Sequence, residues 1–301
     1  MCSSDLIRTF AEYANKDQLA RYLPPLLAGK AVMSVGMSEP DAGSSVTELK
    51  TSAIADGDDF LINGSKVFGS NTAEADVFLI YLRFGPGIDG IGSAIVERGT
   101  PGFEIGPSYR YMNGEDWAPL YFQDCRIPTA NILLGPGGFK KQISGFNIER
   151  LGNAARAVAV GRKAFIEARE HAKTRRQFGR DICEFQGLQW KFAEMHMRLE
   201  AAQLLLMRAA TKADTGLPSA QDTALAKLAC NEAGFFAANE ALQIMGALGF
   251  SEDNIVQYCV RRTRGWMIAG GSIEILKNRI AEGVFERRFP QRPPKRREEE
   301  S

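Results

Sequence analysis

Histidine is nearly absent from this sequence: His171 and His196 are the whole supply. That inventory leaves little room for Ser-His-Asp nucleophiles or histidine-rich metal centres, and acid–base work is expected to fall to a carboxylate. The five cysteines (Cys2, Cys125, Cys183, Cys230, Cys259) are odd in number, widely spaced and without a CxxC pair. Neither a disulfide framework nor a zinc site is expected, and the thiols read as reduced. No charge of one sign dominates either: 37 basic against 36 acidic residues leave +1. Such a balance provides no field to steer nucleic acid or an anionic membrane. No apolar run reaches bilayer-spanning length, and no charged-plus-apolar leader opens the chain. The expectation is a soluble, cytoplasmic protein with no metal, no nucleic-acid partner and no membrane span.

What is present changes character along the chain. With 301 residues, 45% of them apolar, more than one structural unit can be buried. Residues 1–30 read as a short helical piece ending at the Leu23-Pro24-Pro25 break. Residues 31–130 alternate short apolar runs, such as Asp59–Asn63 and Val77–Leu82, with turn clusters such as Asn63-Gly64 and Gly85-Pro86-Gly87. An antiparallel β-domain follows from that pattern, with Asn63-Gly64 as a type I′ hairpin turn. Residues 131–290 carry apolar side chains at three- and four-residue spacing in four stretches, 143–173, 185–214, 219–247 and 271–286. Short connections between them predict an antiparallel four-helix bundle. The fold class is therefore α+β. The proline- and charge-rich end, 291–301, reads as a disordered tail.

Four segments, in order and suitably spaced, resemble the acyl-CoA dehydrogenase family over residues 18–289. Arg21-Tyr-Leu-Pro24 leading to Ser38-Glu-Pro-Asp-Ala-Gly-Ser44 is similar to the family's T-E-P-x-A-G-S loop. Asn63-Gly-Ser-Lys-Val-Phe-Gly-Ser-Asn71 is similar to N-G-x-K-x-W-I-T-N. Arg175-Arg-Gln-Phe-Gly179 and Gln243-Ile-Met-Gly-Ala-Leu-Gly-Phe250 are similar to R-x-x-F-G and Q-x-x-G-G-x-G-[FY]. Each alone is a weak signal, and together they are strong. The resemblance implies FAD as cofactor. It implies that the hydroxyls of Ser38 and Ser70 meet the flavin's polar edge, in place of two family threonines, and that Phe68 replaces a tryptophan covering the flavin face. Ser44 is implied to contact the CoA moiety. Arg175, Gln177 and Phe178 are implied to hold the pyrophosphate and adenine across a subunit interface, with Gln243 and Gly246 at the same corner and Ser272 among the further flavin contacts. The implied partners are an acyl-CoA substrate, an electron-transfer flavoprotein and further copies of the chain, as a dimer of dimers.

The family removes the α-proton of an acyl thioester while the β-hydride passes to the flavin. In many members the base is a glutamate opening a Y-E-G-T-S-E-I-Q-R motif. The matching stretch here is Ala269-Gly270-Gly271-Ser272-Ile273-Glu274, so glycine stands at the base position. A second solution within the family places a glutamate on the early bundle helix in an L-x-x-E-R context. Phe146-Asn-Ile-Glu149-Arg150 supplies it here, which makes Glu149 the candidate base and leaves the Gly270 backbone to the thioester. The same dipeptide also suits a helix's first turn, where the dipole alone favours glutamate. Glu274 is the next carboxylate, and its family counterpart lies near the cofactor. Members also usually carry about a hundred residues of helical domain before Arg21-Tyr-Leu-Pro24, and residues 1–30 resemble that domain's last part; Met1–Asp5 does not match. The rival readings are an impaired or non-catalytic flavin- or CoA-binding fragment, and an oxidase- or lyase-like relative.

Overall fold

The computed structural model describes residues 4–212, 216 and 218–291. The anticipated disordered tail, apart from Gln291, and residues 1–3 of the non-matching start lie outside them.

Two helices open the fold, α1 (Ser4–Tyr13) and α2 (Lys16–Leu27). A capping box starts α2: Asn15 accepts from the Gln18 amide, and Gln18 accepts from that of Asn15. The Gln18 side chain then donates to the carbonyls of Ala130 and Ile132, both at 2.9 Å, which ties α2 to the β-domain. The break expected at Pro24-Pro25 does not occur there. Both prolines lie inside α2. The amides they lack fall in its last turn, which buried Tyr22 and Leu26 anchor and which closes through Ala28 N–H to Pro24 O at 3.0 Å.

The β-domain comprises β1 (Met33–Gly36), β2 (Ser52–Asp56), β3 (Asp59–Lys66), β4 (Val77–Arg83), β5 (Ile91–Glu97), β6 (Phe103–Ile105), β7 (Tyr109–Arg110), β8 (Asp116–Trp117), β9 (Leu120–Pro128) and β10 (Ile132–Leu134). The main sheet runs β10-β5-β4-β2-β3-β9-β6, with β1 also on β4. It is not purely antiparallel: β1 and β2 both pair with β4 in parallel, because the chain passes along one edge of β4 twice in the same sense. Strands β4 and β5 are buried on both faces. Phe78, Ile80 and Leu82 pack inside the curled sheet with Ile62 and Phe122, while Val77, Leu79 and Ile95 meet Phe10, Tyr22 and Leu26 of the opening helices.

Asn63-Gly64 is not the hairpin turn. The β2–β3 turn passes through Gly57 at φ +64°, and Asn63-Gly64 forms a bulge inside β3 opposite β9. Gly64 has φ +139°, and a Cβ there would stand 2.7 Å from the Thr51 Cα, so close backbone approach explains this glycine.

The helical part comprises α3 (Phe139–Thr174), α4 (Gln186–Thr211), α5 (Ala220–Met245), α6 (Ala247–Phe250), α7 (Ile255–Trp266) and α8 (Ile273–Val284), with a small hairpin of β11 (Arg176–Gln177) and β12 (Arg180–Asp181) between α3 and α4. It differs from the expected four by the one-turn α6 and by α7, which the sequence pattern alone does not single out. Asn254 caps it, and Val256, Cys259, Thr263 and Trp266 form its buried stripe. Because α4 returns the chain between them, α3 and α5 run parallel. Their contact is a seam of small residues: Ala154 and Val158 pack with Ala233 and Ala237, and Ala164 and Ala168 with Ala238 and Ala241. Gly161 meets Gly234 backbone to backbone.

Candidate functional site

The first two loops of the site are bolted together by an ion pair. Glu39 and Lys66 are both buried, with side-chain exposures of 7% and 1% and a 2.7 Å contact. Glu39 also accepts from the amides of Lys50 and Thr51 at 2.6 and 2.9 Å. Burial alone would push the Glu39 carboxyl up, but Lys66 and these donors more than offset it and hold the carboxyl below its ordinary value. Burial pulls the Lys66 ammonium down to about 8 in spite of Glu39. Neighbouring residues of the pair are thereby fixed: the Val67 amide donates to Ser38 O at 2.9 Å, and Ser34 Oγ donates to Ser70 O at 2.7 Å.

Phe68 follows in left-handed backbone at φ +62°, with 59% of the residue exposed. A bulky residue rarely holds that conformation without support. Support comes from Trp117, 4.7 Å away between ring centres, which itself stacks with Tyr109 and Tyr111. The β7–β8 hairpin carrying this aromatic set is clasped by α7. Arg261 donates to Met112 O at 2.6 Å, and Arg262 forms an ion pair with Glu115. Ser44 lies exposed in the loop after β1.

Helix α3 enters beside these loops, where Phe139, Ile143 and Phe146 pack with Met37, Ala42 and Leu49. It starts at Phe139, so Glu149 is deep in the helix rather than in its first turn. The dipole acts within a first turn and does not account for this glutamate. Its Oε2 is buried and stands 2.7 Å from the point a Cβ on residue 270 would occupy. Gly270 and Gly271 follow one another at φ +69° and +96°. Three side chains grip this segment by its carbonyls. Arg150 Nε donates to Gly270 O at 2.9 Å. Lys227 Nζ donates to Trp266 O and Gly271 O, each at 3.0 Å. Asn231 Nδ2 donates to Trp266 O at 2.6 Å. Burial lowers the Arg150 guanidinium, against the pull of Glu149, and brings Lys227 down to about 8. Ser272 caps α8, and Glu274 is exposed in its first turn.

The structure brings Glu149 against Gly270, and it packs the start of α3 against the loop that carries Ser38, through Met37 and Ala42. Ser44 and Ser272 continue the loops of Ser38 and Gly270, and the other residues are set apart. Arg175, Gln177 and Phe178 lie on the exposed β11–β12 hairpin, Phe178 with φ +51° and 93% of its surface free. Gln243 and Gly246 share that end of the bundle, because α3 and α5 run in parallel. Gly246 has φ +59°, and no atom lies within 4 Å of the place a Cβ would take, so its freedom concerns backbone shape and open access. Sequence reasoning missed Lys227 and Asn231. A lone lysine inside the apolar run Ala224-Leu-Ala-Lys-Leu-Ala-Cys230 was the available signal.

Comparison with known proteins places the fold and these loops in one context. The acyl-CoA dehydrogenase middle-domain model matches residues 34–125, and the C-terminal-domain model matches 136–285. Acryloyl-CoA reductase (NADH) of Anaerotignum propionicum is 36% identical over 283 residues, spanning 92% of this chain and 72% of the relative. The 3-sulfinopropanoyl-CoA desulfinase of Advenella mimigardefordensis is 33% identical, spanning 95% and 73%. The structure of butyryl-CoA dehydrogenase from Megasphaera elsdenii superposes with a TM-score of 0.88 at 32% identity, over 93% of this chain and 75% of that one. With both domain models matched in series and relatives aligned across nine-tenths of its length, this chain belongs to the acyl-CoA dehydrogenase family of oxidoreductases.

Proposed function

We propose that the protein is an FAD-dependent acyl-CoA dehydrogenase in which Glu149 removes the α-proton of the thioester. One observation carries the base assignment: Glu149 Oε2 fills the space that a side chain on Gly270 would need, 2.7 Å from its Cβ position. A glutamate at 270 and a glutamate at 149 would compete for one place, and the chain supplies only the second. An α C–H is a weak acid. The base therefore needs a carboxylate out of bulk water, together with donors for the negative charge arriving on the thioester oxygen. The buried Oε2 meets the first need, and the Gly270 backbone is assigned to the second.

The residues present fit FAD. Held by them, FAD would supply the hydride acceptor for the β-carbon. Ser38, Ser70 and Ser272 offer hydroxyls, Phe68 offers an exposed aromatic face, and Arg175 offers a planar fork for phosphate oxygens, with Gln177, Phe178, Gln243 and Gly246 around it. Ser44 is assigned to the CoA part of the substrate. At ~1.5 Å per residue, the helix between Glu149 and Arg175 runs ~39 Å. One chain does not deliver both ends of this set to one flavin, so the reading includes a second copy and a dimer of dimers. An electron-transfer flavoprotein would be the partner that takes the electrons on. The reverse reaction, which the reductase relative's name describes, needs the same two transfers. The desulfinase relative favours a second reading, with flavin and fold kept and a lyase reaction in place of oxidation.

The test is anaerobic addition of acyl-CoAs to the FAD-loaded protein. Bleaching of the oxidised flavin is expected for wild type, with a loss of about a hundredfold or more in Glu149→Gln. Full-rate bleaching in Glu149→Gln sinks the base assignment, and thioester turnover without bleaching favours the lyase reading.

A further inference from the structure

Lys227 occupies an odd place for an ammonium group. It has no exposed surface, and Ala224, Ala226 and Cys230 beside it on α5 are buried as well. A buried charge is costly where an apolar side chain would fill the same space, unless it is fully engaged. Here it is engaged with backbone: Trp266 O and Gly271 O, each at 3.0 Å. Buried Asn231, one turn further along α5, reinforces the grip on Trp266 O at 2.6 Å. Between those two carbonyls lies the segment whose Gly270 faces the Glu149 carboxylate. Two successive left-handed glycines do not hold a shape by themselves, so the shape of 266–271 is set by the side chains that hold its carbonyls.

We propose that Lys227, with Asn231, is a positioning residue for the α-proton transfer: it fixes the 266–271 segment against Glu149 and sets a positive charge one residue along from Gly270. This rests on Glu149 being the base. The charged and titratable groups around the Glu149–Arg150 pair are Lys227 from α5, Arg279 from α8 and Tyr81 from β4. Burial keeps the Tyr81 hydroxyl neutral by pushing it up, and the cations favour the ionised carboxylate. Losing the Lys227 charge therefore makes the carboxylate harder to ionise, whereas a purely structural lysine would leave its titration alone.

The experiment measures anaerobic bleaching of the FAD-loaded full chain by acyl-CoA, per bound flavin, as a function of pH. A second readout is amide hydrogen exchange over 266–272 without substrate. For Lys227→Met we expect a rate at least about tenfold lower at neutral pH, KM nearly unchanged, a pH midpoint raised by roughly one unit, and faster exchange in the segment. Lys227→Gln, which keeps N–H donors but no charge, should recover slow exchange while keeping the raised midpoint. A wild-type rate and midpoint in Lys227→Met overturn the proposal, whatever the variant's stability. Should Lys227→Met not fold, Lys227→Gln and Asn231→Ala decide. A raised midpoint in the first and a lowered rate with unmoved midpoint in the second support the proposal; wild-type behaviour in both overturns it. Full-rate bleaching in Glu149→Gln marks failure of the base assignment itself, whereas an inert Glu149→Gln beside wild-type-like Lys227 variants overturns the positioning role alone.

Discussion

Removing one partner of the Glu39–Lys66 pair leaves the other charge buried, which is the expensive case for an internal ion pair. Glu39→Gln is expected to cost about 3–5 kcal/mol in denaturant unfolding. Exchanging both at once, Glu39→Gln with Lys66→Met, should cost less than Glu39→Gln alone, because no charge is then stranded. The pair also sets a pH signature. The folded Glu39 carboxyl lies below its ordinary 4.5, so the unfolded chain takes up the proton first as pH falls. Stability from this group is complete above 4.5 and is lost as pH drops through the lower folded value. Lys66 acts in another window. Its folded value near 8 lies below 10.5, so the unfolded chain binds more protons in between and linked stability rises across that interval. Unfolding midpoints against pH check both: Glu39→Gln should lose much of the acid slope, and an unchanged slope contradicts the assignment. Both residues stood in quoted motifs, yet their pairing was not legible, because 27 positions separate them and only the fold closes the gap.

At the scale of elements, the α3–α5 seam turns on two glycines. Helix propensity alone favours Gly234→Ala by about 1 kcal/mol. A Cβ at 234, however, would stand 2.4 Å from Ala157 O, backbone that does not swing aside. Overpacking of about 1–3 kcal/mol should win, so Gly234→Ala is expected to lower the unfolding midpoint; a stabilised variant would show that the helices separate freely. The long helices were readable because their periodicity repeats over many turns. Helix α7 was not, since Arg261-Arg262-Thr-Arg264-Gly265 reads as a charged loop unless Val256, Cys259, Thr263 and Trp266 are placed on one face. The same limit misplaced Asn63-Gly64. The dipeptide reports a backbone need for positive φ, and a bulge satisfies that need as well as a turn does. For the candidate site, each loop was visible as a motif, and so were Gly270 and Glu149, which the fold sets side by side. The carbonyl grip on 266–271 left only one trace, a lysine in an apolar run.

At the scale of the whole molecule, the bundle presents apolar surface that a single copy leaves uncovered. Trp190, Met197, Leu204 and Met207 are all more than half exposed along one face of α4, and Phe178 projects from the β11–β12 hairpin. Contiguous exposure of this kind marks an interaction surface, in keeping with the proposed assembly of identical chains. The assembly has a sharp consequence if each flavin takes Glu149 from one chain and Arg175 from its partner. Glu149→Gln homodimers lack the base at both sites, and Arg175→Ala homodimers lack the phosphate fork at both. In a mixed dimer, one site collects both defects and the other collects none. Co-expressing the two variants at equal levels should therefore restore roughly a quarter of wild-type bleaching, since half the dimers are mixed and half their sites are intact. In a dimer of dimers, selecting assemblies that carry both of two different tags removes only those built from a single variant, so it should raise this only slightly, to roughly two-sevenths. If both residues instead serve one site within one chain, every site in the mixture carries a defect. Activity then stays at the level of the two parent variants.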